Sequence, residues 1–228
     1  MKLPEYKMKQ VWIVFVYAVF YFVSFILLER RDVEVHIISC RLDQYIPFCE
    51  WFIIPYLLWF VYITVFLIWF TLGPSTAGEF HRYAFYIGTG MTLFILISWL
   101  WPNGLQLRPE VYPRDNILTT IVKILYTTDT STNVFPSIHV FNSVATCIAI
   151  WDTHYFRKKY FVRWGTLFLT ILIVLSTMFL KQHSVIDVMG GLIMAFVLWR
   201  VFYHSLQRKR HMQHLKIKMK EAKKAHQH

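Results

Sequence analysis

Six long apolar runs constrain this chain more than any other feature of its sequence: residues 11–28, 51–72, 83–101, 138–153, 161–180 and 185–203. Most approach the roughly 20 residues that a helix needs to cross about 30 Å of hydrocarbon, where each backbone polar group must be satisfied within the segment. Hydrophobic residues make up 56% of the 228 and charged residues only 16%, which excludes an ordinary soluble domain. The pattern predicts an all-α, polytopic membrane protein: a six-span helix bundle over residues 1–206 and a separate tail over 207–228. The first run is expected to stay in place, since it is long, ends in Leu28-Glu29-Arg30-Arg31 and lacks a small-residue cleavage pattern.

Basic residues orient such a bundle. Lys2, Lys7 and Lys9 precede or open the first span, Arg82 lies between the second and third, and Arg157, Lys158, Lys159 and Arg163 surround the turn between the fourth and fifth. With the basic tail, these places fall on one side of a six-span layout, so both termini are expected in the cytoplasm of a bacterial-type plasma membrane. Arg30, Arg31 and Arg41 fall on the far side, in a loop shared with Asp32, Glu34, Asp43 and Glu50. That loop, residues 32–50, reads as an interfacial or a re-entrant segment, and its Cys40 and Cys49 could bridge in an oxidising compartment. Residues 102–137 read as an outer loop. The tail carries eight Lys or Arg against Glu221 and fits attraction to anionic lipid; no folded recognition element accompanies the charge, so nucleic acid is not an expected partner. Oligomeric state is not encoded in any of these patterns.

Two polar clusters stand at the rims of the apolar runs, where ionisable groups are expensive and usually functional. One is Phe135-Pro136-Ser137-Ile138-His139; the other is Ser176-Thr177 followed by Lys181-Gln182-His183 and Asp187. The orientation puts both at the outer face. His139, Asn142, Ser143 and Thr146 share a helical face, expected to turn into the bundle rather than toward lipid. His183 and Asp187 lie four apart, so the carboxylate can take the Nδ1 proton and leave Nε2 free to attack or to accept a proton. His139 would supply the second imidazole, protonating a leaving oxygen. Arg108 offers a guanidinium fork and Ser137 a hydroxyl at a helix start, both suited to a phosphoryl group. His139, His183 and Asp187 could also be read as three metal ligands, although a short-spaced zinc motif is absent.

On these residues the chain resembles the type 2 phosphatidic acid phosphatase superfamily of lipid phosphatases and phosphotransferases. That pattern runs Lys, six residues, Arg-Pro; then Pro-Ser-any-His; then Ser-Arg, five residues, His, three residues, Asp. Arg108-Pro109 matches the end of the first part, Pro136-Ser137-Ile138-His139 the whole second, and Ser176, His183 and Asp187 the third. The resemblance implies that His183 is the nucleophile forming a phosphohistidine, Asp187 its partner, and His139 the acid and then the base. It assigns phosphate binding to Arg108, Ser137 and Ser176, and it implies no cofactor. Two positions depart: the expected Lys is Trp101 and the expected Arg after Ser176 is Thr177. Lys181, Arg114 or Lys123 are candidates to replace the lost charge. The expected activity is a metal-independent lipid phosphate or diphosphate phosphatase acting on the extracytoplasmic side. Thr177 with Lys181-Gln182-His183 is also similar to the inositol phosphorylceramide and sphingomyelin synthase branch, which makes a head-group phosphotransferase the alternative. An inert scaffold or lipid transporter that keeps only the fold is the third reading.

Overall fold

The computed structural model describes residues 4–204, so the basic-tail expectation for 207–228 lies outside the described residues. Helix α1 (Glu5–Glu29) leads to an outer segment with a short strand β1 (His36–Ile37), a single helical turn α2 (Leu42–Tyr45) and a 3-10 turn at Glu50–Phe52. Then come α3 (Ile53–Leu72), α4 (Ala77–Leu100), β2 (Asn103–Gly104), α5 (Ile117–Thr128), α6 (Ile138–Asp152), α7 (Tyr160–Phe179) and α8 (Val185–Trp199).

Five segments are long and apolar enough to span a membrane: Glu5–Glu29, Glu50–Leu72, Ala77–Leu100, Tyr160–Phe179 and Val185–Tyr203. The chain is a membrane protein with a helical bundle. The remaining expected span is α6, whose 15 residues rise only about 22 Å. It does not need lipid on its flanks, because it sits inside the bundle against α3, α4, α7 and α8. That enclosure explains its polar face: Asn142, Ser143 and Thr146 are all buried, and Thr146 shares a hydrogen bond with Tyr83 of α4. By contrast α1 lies at the periphery and exposes Trp12, Phe15, Val16 and Phe22, the apolar surface a lipid-facing helix requires.

Contacts sort the helix ends into two sets. At one end Lys7 of α1 meets Ser75 before α4, Arg82 pairs with Asp152 at 2.8 Å, and Glu79 accepts from the His154 amide. The Thr76–Glu79 capping box starts α4 there. At the opposite end Arg31 donates to the Trp99 carbonyl, the Cys49 amide to the Phe179 carbonyl, and the Ser137 amide to the Asp187 carbonyl. Six helices therefore alternate in direction, and both histidine clusters lie at this second end.

The connections at that end depart from the expectation of plain loops. Residues 117–128 form α5, with Asn116 as its N-cap and Val122 and Leu125 packed on Ile53, Tyr56 and Leu180. Segment 32–50, expected to be interfacial or re-entrant, contributes a strand to the outer end of the bundle. It pairs β1 with β2 in parallel, His36 opposite Asn103 and Ile37 opposite Gly104, and Gly104 bridges to Thr132. Cys40 and Cys49 are both free and half-buried, and Cys147 is free and buried.

Candidate functional site

The two turns that carry the histidines are built by ordinary helix-end chemistry. Helix α7 closes in a Schellman arrangement: the Gln182 amide donates to the Thr177 carbonyl at 2.9 Å and the Lys181 amide to Met178 at 3.0 Å. Lys181 takes the left-handed position of that motif, at φ 53°, where glycine is more usual. The chain then reverses, and Ser184 caps α8 while the Asp187 carboxylate accepts the Ser184 amide at 2.8 Å. His183 is thus trapped between a helix stop and a helix start. On α6, Ser137 is the N-cap, its hydroxyl accepting from the Val140 amide, and His139 follows in the first turn.

These turns bring the imidazoles together. His139 Nδ1 lies 3.3 Å from His183 Nε2, and both residues are buried. On the far side of His183, Nδ1 stands 3.5 Å from Asp187 Oδ2. That distance marks an electrostatic contact rather than an aligned hydrogen bond, since His183 Nδ1 and Asp187 Oδ1 both remain without a hydrogen-bond partner. A small tightening of the pair would satisfy His183 Nδ1 through Asp187 Oδ2, and catalytic hydrogen bonds are often long in unliganded enzymes. Tyr56 and Trp59 of α3 pack their rings on His139, with centroids 4.9 Å and 4.4 Å away.

Arg108 approaches from the β2–α5 connection. Its Nη1 donates to the Tyr126 carbonyl at 2.9 Å and its Nη2 to Gln182 Oε1 at 2.8 Å and to the Asp129 carbonyl. Its Nε is buried and unpartnered, and the guanidinium lies over the Tyr126 ring. Gln182, next in sequence to His183, also donates to Asp129 Oδ2, which accepts from the Tyr56 hydroxyl as well. Arg108, Asp129, Tyr56 and Gln182 therefore form one network around the histidine pair.

The remaining sequence-selected residues fall as follows. Ser176 is buried in the last turn of α7, its hydroxyl donating to the Ile173 carbonyl. Thr177 is buried with its hydroxyl on Val174, and Trp101 packs edge-on against Phe135 and stacks with His36, so neither brings charge to the places where the resembled pattern has Lys and Arg. Each of the three candidate replacements is engaged elsewhere. Lys181 donates its ammonium to the carbonyls of Asp43 and Ile46, Arg114 pairs with Glu50 at 3.4 Å, and Lys123 with Asp115 at 3.6 Å. Among the described residues, Arg108 is the cation that bonds to the Gln182 side chain beside His183.

Several residues near the site carry no signal in the sequence pattern. Asp43 is 2% exposed and its carboxylate receives the Cys40 amide at 2.7 Å, the Ser184 hydroxyl at 2.7 Å and the Val185 amide at 2.8 Å. Burial works to raise this carboxyl, but the Val185 and Cys40 amides and the Ser184 hydroxyl outweigh it and hold it below its ordinary value. Burial lowers the Lys181 ammonium from its ordinary value, opposed by the Asp43 charge. Asn103 accepts the Val134 and Phe135 amides on its Oδ1, at 2.8 Å and 2.9 Å, fixing the approach to Pro136 and His139. Among the described residues no group of three His, Cys, Asp or Glu side chains has the arrangement to hold a metal ion.

No curated protein and no solved structure matches the chain. The PAP2 superfamily, whose members are generally phosphatases and phosphotransferases, matches over residues 81–211. This stretch contains Arg108, Ser137, His139, Ser176, His183 and Asp187. With more than half of its length matched and a helical membrane bundle to hold it, the chain belongs to the PAP2 superfamily.

Proposed function

We propose that this protein is a lipid phosphate or diphosphate phosphatase that works without a metal ion, through a phosphohistidine on His183. The observation that carries the reading is the line Asp187, His183, His139, with contacts of 3.5 Å and 3.3 Å. Asp187 holds the Nδ1 proton and stabilises the positive charge that builds on the ring as Nε2 attacks phosphorus. As the N–P bond forms, the bond from phosphorus to the lipid oxygen breaks, and His139 in its protonated form gives that oxygen its proton. Neutral His139 then takes a proton from water as the water oxygen attacks phosphorus, the N–P bond breaks, and inorganic phosphate leaves. The Arg108 fork would exchange its carbonyl partners for phosphoryl oxygens and stabilise the charge that develops there. The site would open on the extracytoplasmic side, because Lys7, Lys9, Arg82, Arg157, Lys158 and Lys159 lie at the other end of the bundle.

In-line transfer needs phosphorus about 3 Å from the attacking nitrogen and the leaving oxygen about 3 Å from its acid. The 3.3 Å contact between the rings leaves no room for that, so the imidazoles must part as the phosphoryl group enters. The contact is the resting arrangement.

The decisive assay is release of inorganic phosphate from phosphatidate in detergent micelles containing EDTA, comparing wild type with His183→Ala. Turnover by wild type and near-complete loss in the variant is expected; equal turnover by both would refute the nucleophile. Head-group transfer is the second reading, favoured by the uncharged Trp101 and Thr177. Arg108 is the cation at the site among the described residues, and a single cation suits a singly charged phosphodiester better than a monoester dianion. Doubly labelled phospholipid separates the two: phosphate released to water marks the phosphatase, and label recovered in another lipid marks the transferase.

A further inference from the structure

We infer that Asp43, in the segment between α1 and α3, is a positioning residue for His183, and that the outer segment acts as a strap across the reactive turn. The inference rests on the role proposed above for His183. Nothing in the local pattern of residues 32–50 marks Asp43: it belongs to no span, and neighbouring Asp32 and Glu34 carry the same charge in the same segment.

Three of the four groups that the Asp43 region holds lie in the turn from Lys181 to Val185. The carboxylate takes the Ser184 hydroxyl and the Val185 amide, which flank His183 on its C-terminal side. The Asp43 carbonyl takes the Lys181 ammonium at 2.7 Å, and the Ile46 carbonyl takes it too, which secures the N-terminal side. His183 is therefore bracketed. The fourth bond, from the Cys40 amide, folds the strap back on itself so that the carboxylate is fixed before it meets α8.

The chemistry of these bonds demands an ionised carboxylate. Both Asp43 oxygens accept, and every partner donates. An amide at this position would turn an NH2 group toward an N–H or O–H donor and leave one of them buried without an acceptor. Ser184 is the element most exposed to that loss. Its hydroxyl donates to Asp43 and accepts from Ile186, while its amide donates to Asp187, so one residue joins the strap, the start of α8 and the partner of His183. Because the His183 to Asp187 contact is already long, a small rotation of Ser184 changes whether it can form.

The strap also reaches the other histidine. β1 pairs with β2, and Asn103 of β2 accepts the Val134 and Phe135 amides that lead into His139. The backbones of both turns are thus referenced to one segment. Parting of the imidazoles then proceeds by side-chain rotation, with the turns held still.

The test compares wild type, Asp43→Asn, Lys181→Met and, as a control at an exposed carboxylate, Asp115→Asn. The first readout is ring-nitrogen NMR of histidine-labelled protein in detergent, which needs no turnover. Asp43→Asn is expected to move the His183 resonances, Lys181→Met to move them less, and Asp115→Asn to leave them in place. The second is phosphate release from phosphatidate, where Asp43→Asn should lower kcat by about tenfold with KM within about twofold of wild type, as expected of a misplaced nucleophile. Unchanged His183 resonances in both strap variants, or a loss confined to KM, would overturn the inference. If Asp43→Asn does not fold, Lys181→Met decides by the same two readouts. A wild type inert toward phosphatidate would instead count against the proposed reaction and leave the NMR comparison to judge the strap.

Discussion

Replacing Gly191 by Ala tests how closely α6 and α8 must approach for the histidines to meet. An added Cβ would lie 2.7 Å from the Ser137 carbonyl oxygen and 3.1 Å from Val140 Cβ, both on α6. Carbon–oxygen contacts settle near about 3.3 Å, so α8 would have to retreat by roughly 0.6 Å. A backbone carbonyl at a helix start, tied as the cap of α6, cannot swing aside as a side-chain end could. Alanine in an exposed helix interior would gain about 1 kcal/mol over glycine, whereas overpacking costs about 1–3 kcal/mol, so the expected net change is destabilising. The retreat also stretches the bond from the Ser137 amide to the Asp187 carbonyl, now 3.1 Å, and draws His183 from His139. If a displacement of about 1 Å costs roughly 100-fold in rate, this one costs about tenfold. The assay is kcat on phosphatidate with thermal melting in the same detergent. Gly165→Ala on α7, where a Cβ would meet nothing within 4 Å, serves as the control. Wild-type turnover and melting in Gly191→Ala would refute the argument that this crossing sets the site.

Two further outcomes follow from the proton and charge assignments. His139→Ala should spare formation of the phosphohistidine from p-nitrophenyl phosphate, whose leaving group needs no proton, more than it spares turnover of phosphatidate; equal defects on both would remove His139 as the acid. Arg108→Lys keeps the charge but not the planar fork that reaches Tyr126, Asp129 and Gln182 together, so kcat/KM on phosphatidate should fall by about tenfold or more, and an unchanged value would assign Arg108 a purely structural part.

The His139 face was legible because helical spacing carries it. The polar face from His139 to Thr146 repeats at three and four along α6, whereas His183 stands just before the Ser184 cap and meets Asp187 across the start of α8 rather than along a helix. The spans were legible for the same reason, though their ends drift: α4 begins at Ala77, six residues before the apolar run, because the Thr76–Glu79 capping box and not hydropathy starts it. Helix α5 lies within the 102–137 segment that reads as a loop, although Ile117, Ile121, Val122 and Leu125 keep a helical period behind the Asn116 cap. Asp43, Asn103, Asp129 and Tyr56 are a different matter. Each reaches the site from a remote segment, Asp43 across 141 residues to Ser184, and no local period announces such a pairing. Lys181 misled for a physical reason: its left-handed backbone turns the side chain toward the carbonyls of the outer segment.

The 3.3 Å contact between His139 and His183 also works as a threshold for entry. Every ligand must break it and separate two rings, one of which is braced by Tyr56 and Trp59, before a phosphoryl group can occupy the space. That cost is the same for a free phosphate ion and for a lipid, but the lipid brings acyl chains whose burial along the bundle can be spent on the opening. On the proposed reaction, the closed pair would therefore turn tail binding into selectivity at the headgroup. Small water-soluble phosphates, which have nothing else to contribute, would then open the pair less readily than a lipid does.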